Sequence, residues 1–443
     1  MKLFGTDGIR GEAGRAPLDP DTIARVAAAL VRAHGGRGLR VLLGRDTRES
    51  GPWIEDALTR GFASAGADVG SLGVVPTPAV AYLTRTDGFD LGVVISASHN
   101  PYRDNGLKVF SGAGEKFTAA EERAVEALVA DPSWAVGEGS GRHAQPRPDL
   151  VPHYLDHLKR VLPDAGPLAG TPIVVDCANG ATTDVAPALL TALGFAVDAI
   201  GVSPDGRNIN RGCGSTAMDV LQARVVERGA ALGVAFDGDG DRALFVDHHG
   251  RRVDGDAVML ICAEQLRRDG RLAGDALVAT VMSNIGLELA LKDRGLALVR
   301  CPVGDKYVME EMLKRGLSLG GEQSGHVIFA DHLFTGDGIA TALHVLRTMA
   351  ATGRALADLA AALTTYPQVL VNVRVRERVG IETVPAIAAA MRDVERRLDG
   401  HGRLLVRYSG TEPLLRIMLE GRDQHEIQAW AEEIAAAVRT HLG

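Results

Sequence analysis

Hydrophobic and polar positions alternate between two periods along this chain. Asp21–His34 carries apolar residues at helical spacing, Leu39–Leu43 is a short β-like run before Gly44, Gly51–Gly66 returns to helical spacing, and Asp90–Ile95 reads as strand. Ile173–Val175 and Ala231–Phe236 are apolar without alternation, which suits strands buried on both faces. Together these runs predict an α/β protein with largely parallel sheets covered by helices.

A longer pattern lies over the short one. Four times an apolar strand enters a polar loop and a second strand returns: Leu91–Ile95 with Leu107–Phe110, Ala231–Phe236 with Ala243–Val246, Leu317–Leu319 with His326–Phe329, and Leu404–Val406 with Leu414–Leu419. Helical spacing resumes after each, near Thr118, Asp254, Gly336 and Asp423. Four such units read as four domains, each offering one loop to a central cleft, since ligands gather beyond the carboxyl ends of strands in open α/β sheets. Strand–turn–strand–helix is a common arrangement, so the residues of each loop must decide. Asp131–Pro148, rich in Gly, Pro, Ser and charge, reads as a linker; further breaks fall near Gly250 and at Tyr366–Pro367. The expected domains are therefore 1–149, 150–250, 251–366 and 367–443. The last reads strand, helix (about Ile381–Leu398), two strands and a final helix, which is α+β.

Composition narrows the function. A chain of 443 residues exceeds what one core usually serves, so two to four domains are expected. With 46% hydrophobic and 23% charged residues it resembles ordinary globular proteins, and a net charge of −8 argues against a general nucleic-acid-binding surface. MKLFGTDGIRG lacks the apolar region of a secretory signal, and no apolar run reaches the roughly 18 residues of a membrane span. A cytoplasmic setting without membrane contact is expected. Cys177, Cys213, Cys262 and Cys301 are widely spaced without C-x-x-C pairing, as suits buried reduced thiols rather than structural zinc. Nothing in the pattern fixes the number of copies, and a homodimer is compatible with it.

The loops carry the chemistry. Ser96-Ala97-Ser98-His99-Asn100-Pro101 sets a serine beside a histidine, a nucleophile with a base, but lacks the G-x-S-x-G of a hydrolase elbow. Lys108, just beyond, would exchange a proton with a hydroxyl if neighbouring cations lowered its pKa. Asp237-Gly238-Asp239-Gly240-Asp241-Arg242 gathers three hard carboxylate ligands on alternate positions, with an arginine to hold an anion beside a metal. An EF-hand is excluded, because its glycine and closing glutamate positions hold Arg242 and His248. Few protein ligands leave room for phosphate oxygen, which favours Mg2+. Gly320-Gly321-Glu322-Gln323-Ser324-Gly325-His326 offers a carboxylate and a hydroxyl between glycines, as sugar hydroxyls require. Arg407-Tyr408-Ser409-Gly410-Thr411-Glu412-Pro413, with Arg416, can form a phosphate cradle from arginines, hydroxyls and the Gly410 N–H. Each loop read alone is also compatible with a plain polar turn. No Walker A sequence occurs, and the G-x-G-x-x-A match at Gly212–Ala217 follows polar residues rather than a strand.

Jointly, and in this order over nearly the whole chain, the four loops resemble the α-D-phosphohexomutase superfamily. The resemblance implies three related α/β domains with mixed sheets and a C-terminal α+β domain of TATA-box-binding-protein-like fold. It implies that Ser98 becomes phosphoserine, that Asp237, Asp239 and Asp241 bind one Mg2+ per chain together with that phosphate, and that Glu322 and Ser324 bind the sugar. Arg407, Ser409, Gly410, Thr411 and Arg416 would grip the phosphate not being transferred, with Arg10, His99, Lys108 and Arg242 around the transfer. Gly5–Gly11, Pro204–Asn210, Val303–Val308 and Glu322–Ser324 resemble the branch acting on glucosamine phosphate. Tyr408 departs from it, standing where lysine is more usual.

The reaction so implied moves a phosphoryl group between O6 and O1 through a 1,6-bisphosphate, which also serves as activator. The sugar must turn end for end, so movement of the last domain is expected near Tyr366–Gln368. A charged C2 amine would favour a carboxylate or carbonyl, from Glu322 or the turn at Gly304–Asp305. The alternatives are a glucose or mannose phosphate mutase, a metal-dependent sugar phosphatase, and a non-catalytic sugar-phosphate-binding protein.

Overall fold

The computed structural model describes residues 2–5, 7–137, 143–409 and 413–443. They form two compact units, residues 1–282 with 297–361, and residues 283–296 with 362–443.

The larger unit holds three mixed sheets. The first runs Phe4–Gly5, Gly8–Glu12, Asp104–Ser111, Leu91–Ile95, Arg40–Arg45, Asp68–Val74, Gln145–Pro146. Arg40–Arg45 lies parallel to both Leu91–Ile95 and Asp68–Val74, while Asp104–Ser111 returns antiparallel. Helix Pro20–Ala33, capped by Asp19 with proline at its first position, buries Ile23, Val26, Ala27 and Leu30 in one core with Leu58, Phe62, Val41 and Val93. The second sheet runs Arg252–Val253, Ala243–Asp247, Leu232–Phe236, Pro172–Asp176, Ala196–Ile200. Its middle strand, Leu232–Phe236, is buried throughout, as its unbroken apolar run predicts. The third sheet runs Ala297–Cys301, Ala276–Thr280, Leu319–Gly321, Val327–Phe329. Here the sequence reading ended its strand at Leu319, whereas pairing begins there and continues through two glycines. The reason is close packing: a Cβ on Gly320 would lie 2.6 Å from Met312 Sδ.

All three sheets share one device. A parallel strand ends in a polar loop, and its antiparallel neighbour leads the chain back, at Ile95 to Asp104, Phe236 to Ala243 and Gly321 to Val327.

The smaller unit has a three-stranded antiparallel sheet in the order Gln368–Arg374, Leu414–Glu420, Arg403–Tyr408. Helices Pro385–Leu398 and Gln424–Leu442 join it in one core of Val369, Val371, Ile387, Ile417, Ile434 and Val438. Buried and exposed residues alternate along Gln368–Arg374, the pattern of a sheet covered on one face. The helix expected from Ile381 is split into a 3₁₀ turn, Ile381–Thr383, and the α-helix, because Pro385 keeps Val384 extended.

Helix Ile285–Asp293 belongs to this smaller unit although it follows a strand of the larger one. Asn284 caps it and binds both backbone groups of Tyr366 at 3.0 Å. The buried Glu420 carboxylate accepts from Ile285 N at 3.1 Å and Arg403 Nε at 2.9 Å. Tyr366–Gln368, where a flexible joint was expected, is therefore held within the unit: Pro367 O accepts from Gly421 N and Gln368 pairs with Glu420. The chain passes between units at 282/283, 296/297 and 361/362. All four cysteines are buried free thiols, and among the described residues no helix is long and apolar enough to cross a membrane.

Candidate active site

Ser98 sits beyond the carboxyl end of Leu91–Ile95, fully buried, with φ of 52°. This left-handed backbone is uncommon for a non-glycine residue. A turn comparable to a nucleophile elbow thus forms without flanking glycines. Ser98 Oγ donates to Asp237 Oδ2 at 2.5 Å and lies 3.2 Å from His99 Nδ1. Arg242 Nη1 donates to the same His99 nitrogen at 3.2 Å, so Nδ1 acts as acceptor. Burial, with Arg242 and Arg10 nearby, pushes His99 down to about 4 and leaves it neutral at physiological pH.

Asp237, Asp239 and Asp241 follow strand Leu232–Phe236, and their oxygens lie within 4.8 Å of one another. Gly238 lets this loop meet the serine loop, since a Cβ there would come 2.5 Å from Ser98 O. Thr77 Oγ1 donates to Asp239 Oδ2 at 2.5 Å. Burial and repulsion from Asp241 and Asp239 hold the Asp237 carboxyl well above its usual range. Burial acts the same way on Asp241, but Lys108 and His326 outweigh it and hold that carboxyl well below.

Lys108 corrects a sequence expectation. Its ammonium stands 2.6 Å from Asp241, 2.8 Å from Asp239 and 3.2 Å from Asp7. Burial opposes its charge, but these carboxylates hold its pKa well above the ordinary lysine value. Carboxylates, rather than other cations, dominate its surroundings here.

Several buried atoms in this region make no hydrogen bond: Asp239 Oδ1, Arg10 Nε, Ser324 Oγ, and Asp241 Oδ1 and Arg242 Nε, which face each other only at 3.9 Å. Buried polar groups are rarely left so, and their signs fit two kinds of ligand. The carboxylate oxygens suit a hard cation, and the guanidinium N–H groups suit an anion beside it. Arg10 reaches the site through strand register, lying opposite Gly106.

The Glu322 loop abuts the aspartate loop, with Ala243 N donating to Gly325 O at 3.0 Å. Glu322 Oε1 accepts from Gly304 N at 3.2 Å. His326 Nε2 accepts from Gly336 N at 2.9 Å, and Nδ1 lies 3.7 Å from Asp241 Oδ1. Asp305, an expected partner for a C2 amine, is bound to the Lys116 ammonium, which also contacts Asp7 at 2.5 Å. Asp305, His326 and Asp241 also lie close enough to share an ion, with the Lys116 ammonium on the Asp305 carboxylate.

In the smaller unit, Arg407 and Arg416 stand directly opposite across antiparallel strands. Like charges in that position repel unless an anion joins them. Arg416 Nη2 donates to Ser409 Oγ at 3.3 Å, and Arg378 Nη2 to Ser409 O at 2.7 Å. Gly410 and Thr411 lie outside the described residues. Tyr408 turns from this group, its hydroxyl bonding Val379 O at 2.8 Å and Val379 N at 3.2 Å.

Sequence reading missed Asp7, Asp46, Arg48, Thr77, Lys116, Asn210 and Arg378. One signal was present: the charged run Gly44–Arg48 follows an apolar strand as the other loops do.

Comparison with known proteins gives the family and the fold. Family models for phosphoglucomutase/phosphomannomutase match throughout: alpha/beta/alpha domain I at residues 1–135, domain II at 152–250, domain III at 254–366, and the C-terminal domain at 370–437. A phosphoglucosamine mutase from Syntrophotalea carbinolica is 48% identical over 449 residues, covering 100% of this chain and 98% of the relative. A phosphoglucomutase/phosphomannomutase family protein from Burkholderia thailandensis superposes with a TM-score of 0.79 at 25% identity, covering 99% of this chain and 97% of the other. The N-acetylphosphoglucosamine mutase of Aspergillus fumigatus, solved with GlcNAc-6P and magnesium, shares the fold at a TM-score of 0.65 and 19% identity, covering 99% and 95%. Identity of this extent over the full length places the chain in the phosphoglucosamine mutase family of the α-D-phosphohexomutases.

Proposed function

We propose that this enzyme interconverts glucosamine 6-phosphate and glucosamine 1-phosphate, with Ser98 carrying the transferring phosphoryl group. The observation that carries the reading is the Ser98 hydroxyl, held at 2.5 Å on an aspartate trio whose remaining buried oxygens include unpartnered ones. In the forward direction the Oγ–P bond of phosphoserine 98 breaks as O1 of glucosamine 6-phosphate takes the phosphoryl group, and the proton lost from the O1 hydroxyl is made up at Ser98 Oγ. The resulting 1,6-bisphosphate turns over, the O6–P bond breaks as Ser98 Oγ takes the phosphoryl group, and the proton lost from the serine hydroxyl is made up at O6. The same bisphosphate, added in small amount, rephosphorylates Ser98 and acts as activator.

Asp237, Asp239 and Asp241, with the phosphate on Ser98, are the proposed ligands of one Mg2+, which when bound offsets charge on the moving group. Arg10, Lys108 and Arg242 surround that group with fixed cations. His99, a neutral acceptor for Arg242, holds that guanidinium beside the serine. Glu322 and Ser324 hold sugar hydroxyls, Glu322 being left as carboxylate neighbour for a C2 amine once Asp305 is bound to Lys116. Arg407, Ser409, Gly410, Thr411 and Arg416 grip the other phosphate. The proposed division of labour gives one loop to each of residues 1–149, 150–250, 251–366 and 367–443. The setting is cytoplasmic, supplying amino-sugar nucleotide and cell-wall precursor synthesis, with a homodimer compatible.

The test is kcat/KM for glucosamine, glucose and mannose 6-phosphates at saturating Mg2+ and bisphosphate, with free phosphate followed in parallel. Glucosamine phosphate is expected to lead, with some turnover of glucose phosphate, because a single hydrogen bond discriminates modestly. A preference for glucose or mannose phosphate would overturn the sugar assignment, and release of free phosphate would replace the mutase by a phosphatase.

A further inference from the structure

Beneath the Ser98 loop lies a buried charge pair that the proposed transfer does not use. Asp46 and Arg48 are 0% and 1% exposed. They follow strand Arg40–Arg45, the parallel neighbour of the strand that ends before Ser98. Arg48 Nη2 donates to Ser98 O at 2.9 Å and Asn100 O at 2.8 Å. Its Nη1 donates to Asp104 O at 2.9 Å and to Pro101 O, and its Nε to Asp46 Oδ2 at 2.9 Å. A guanidinium has five N–H groups, so all are used, four of them on carbonyls of one loop. Asp46 Oδ2 also accepts from Ser96 Oγ at 2.6 Å, and that hydroxyl accepts from Ser98 N at 2.9 Å. Asn210 Nδ2 adds a second donor to Ser98 O, again at 2.9 Å.

The peptide groups on both sides of the left-handed Ser98 are thus fixed, the N–H through Ser96 and the carbonyl through Arg48 and Asn210. With both ends held, the strained φ persists and Oγ keeps one direction, toward Asp237. We infer that Asp46, Arg48 and Ser96 form a positioning apparatus for the nucleophile, governing the phosphoryl-transfer step rather than substrate affinity. All three are buried, at 0%, 1% and 0% exposed. Lysine cannot replace Arg48, since one compact ammonium with three donors cannot span four carbonyls.

This inference rests on Ser98 carrying the phosphoryl group, so Ser98→Ala is measured alongside. Ser96→Ala and Arg48→Lys are made in the full chain. Turnover is expressed per phosphorylatable site by a single-turnover burst, with KM for glucosamine 6-phosphate and the Mg2+ requirement. A displaced nucleophile predicts kcat lowered about a hundredfold in Arg48→Lys and about tenfold in Ser96→Ala, both KM values staying within about threefold. Wild-type kcat per site in folded variants, or a raised KM with unchanged kcat, would overturn the inference. Should Arg48→Lys fail to fold, Ser96→Ala decides, because it removes a hydroxyl and no charge. An active Ser98→Ala enzyme would instead refute the nucleophile itself.

Discussion

The two loops assigned to phosphate are supported from different distances along the chain. The Ser98 loop is buried at Ser96–Ser98, carries a left-handed residue, and is fastened from behind by side chains 50 or more residues away in sequence, Asp46, Arg48 and Asn210. Of the loop at Arg407–Arg416, Arg407 and Tyr408 are half-buried and Ser409 is buried, and Ser409 is held by near neighbours of the smaller unit, Leu414, Arg416 and Arg378. The contrast follows from what each group does. A nucleophile must meet phosphorus along one line, so misplacement is felt directly in rate. A cradle that accepts either of two phosphates needs positive charge and donors more than one fixed angle.

Removing Ser98 tests the strict side of this contrast with the largest effect. Ser98→Ala should lose mutase activity by about a thousandfold or more, as nucleophile deletions do, and lose the phosphate seen by intact-mass and peptide mass spectrometry. Near-normal activity would remove the distinction between the loops. Next comes Asp239→Asn, which neutralises one carboxylate and keeps the loop's shape. Turnover should fall about a hundredfold with little change in melting temperature, Asp239 being a charged ligand of the proposed ion. Excess chelator should abolish wild-type activity and Mg2+ should restore it; full activity in chelator would separate the aspartates from catalysis.

The cradle should respond more mildly. Arg416→Ala removes a charge-assisted contact of roughly 1.5–3 kcal/mol, so kcat/KM should fall about ten- to a hundredfold. A loss as large as that of Ser98→Ala would show that the cradle is as strictly built as the nucleophile loop. No change would show that it holds no substrate phosphate.

What the chain discloses in advance divides along related lines. The strands at Leu91–Ile95 and Leu232–Phe236 and the loops after them are legible because apolar runs and the residues that end them are neighbours in sequence. Asp237–Asp241 is legible as a cation loop for the same reason. The residues that secure Ser98 are not, because the separations between partners, Ser96 from Asp46 and Ser98 from Asn210, carry no periodicity. Lys116 meets Asp7 and Asp305 across 109 and 189 positions, so the commitment of Asp305 was invisible. Helix Ile285–Asp293 follows a strand of one unit and packs in the other because Ile285 N and Glu420 meet 135 positions apart. The high pKa of Lys108 depends on two loops converging, which sequence spacing does not report.

Tyr408→Phe carries the smallest expected effect and sharpens the comparison most finely. By sequence this residue lies inside the cradle, between Arg407 and Ser409. In the structure its hydroxyl binds both backbone groups of Val379, at 2.8 and 3.2 Å, and so supports the fold rather than the ligand. Phenylalanine keeps the ring and deletes those bonds. Because the site is partly exposed, water can replace part of what is lost, and about 0.5–1.5 kcal/mol of stability in the smaller unit should disappear. Hydrogen exchange at Val379 and its neighbours should report that loss more cleanly than a melting temperature, since a chain with two compact units need not unfold in one step. With its scaffold only slightly loosened, the cradle should keep kcat/KM within about twofold. A drop of tenfold or more, with exchange at Val379 unchanged, would make Tyr408 a phosphate ligand and the cradle a more exacting device than its strand register implies.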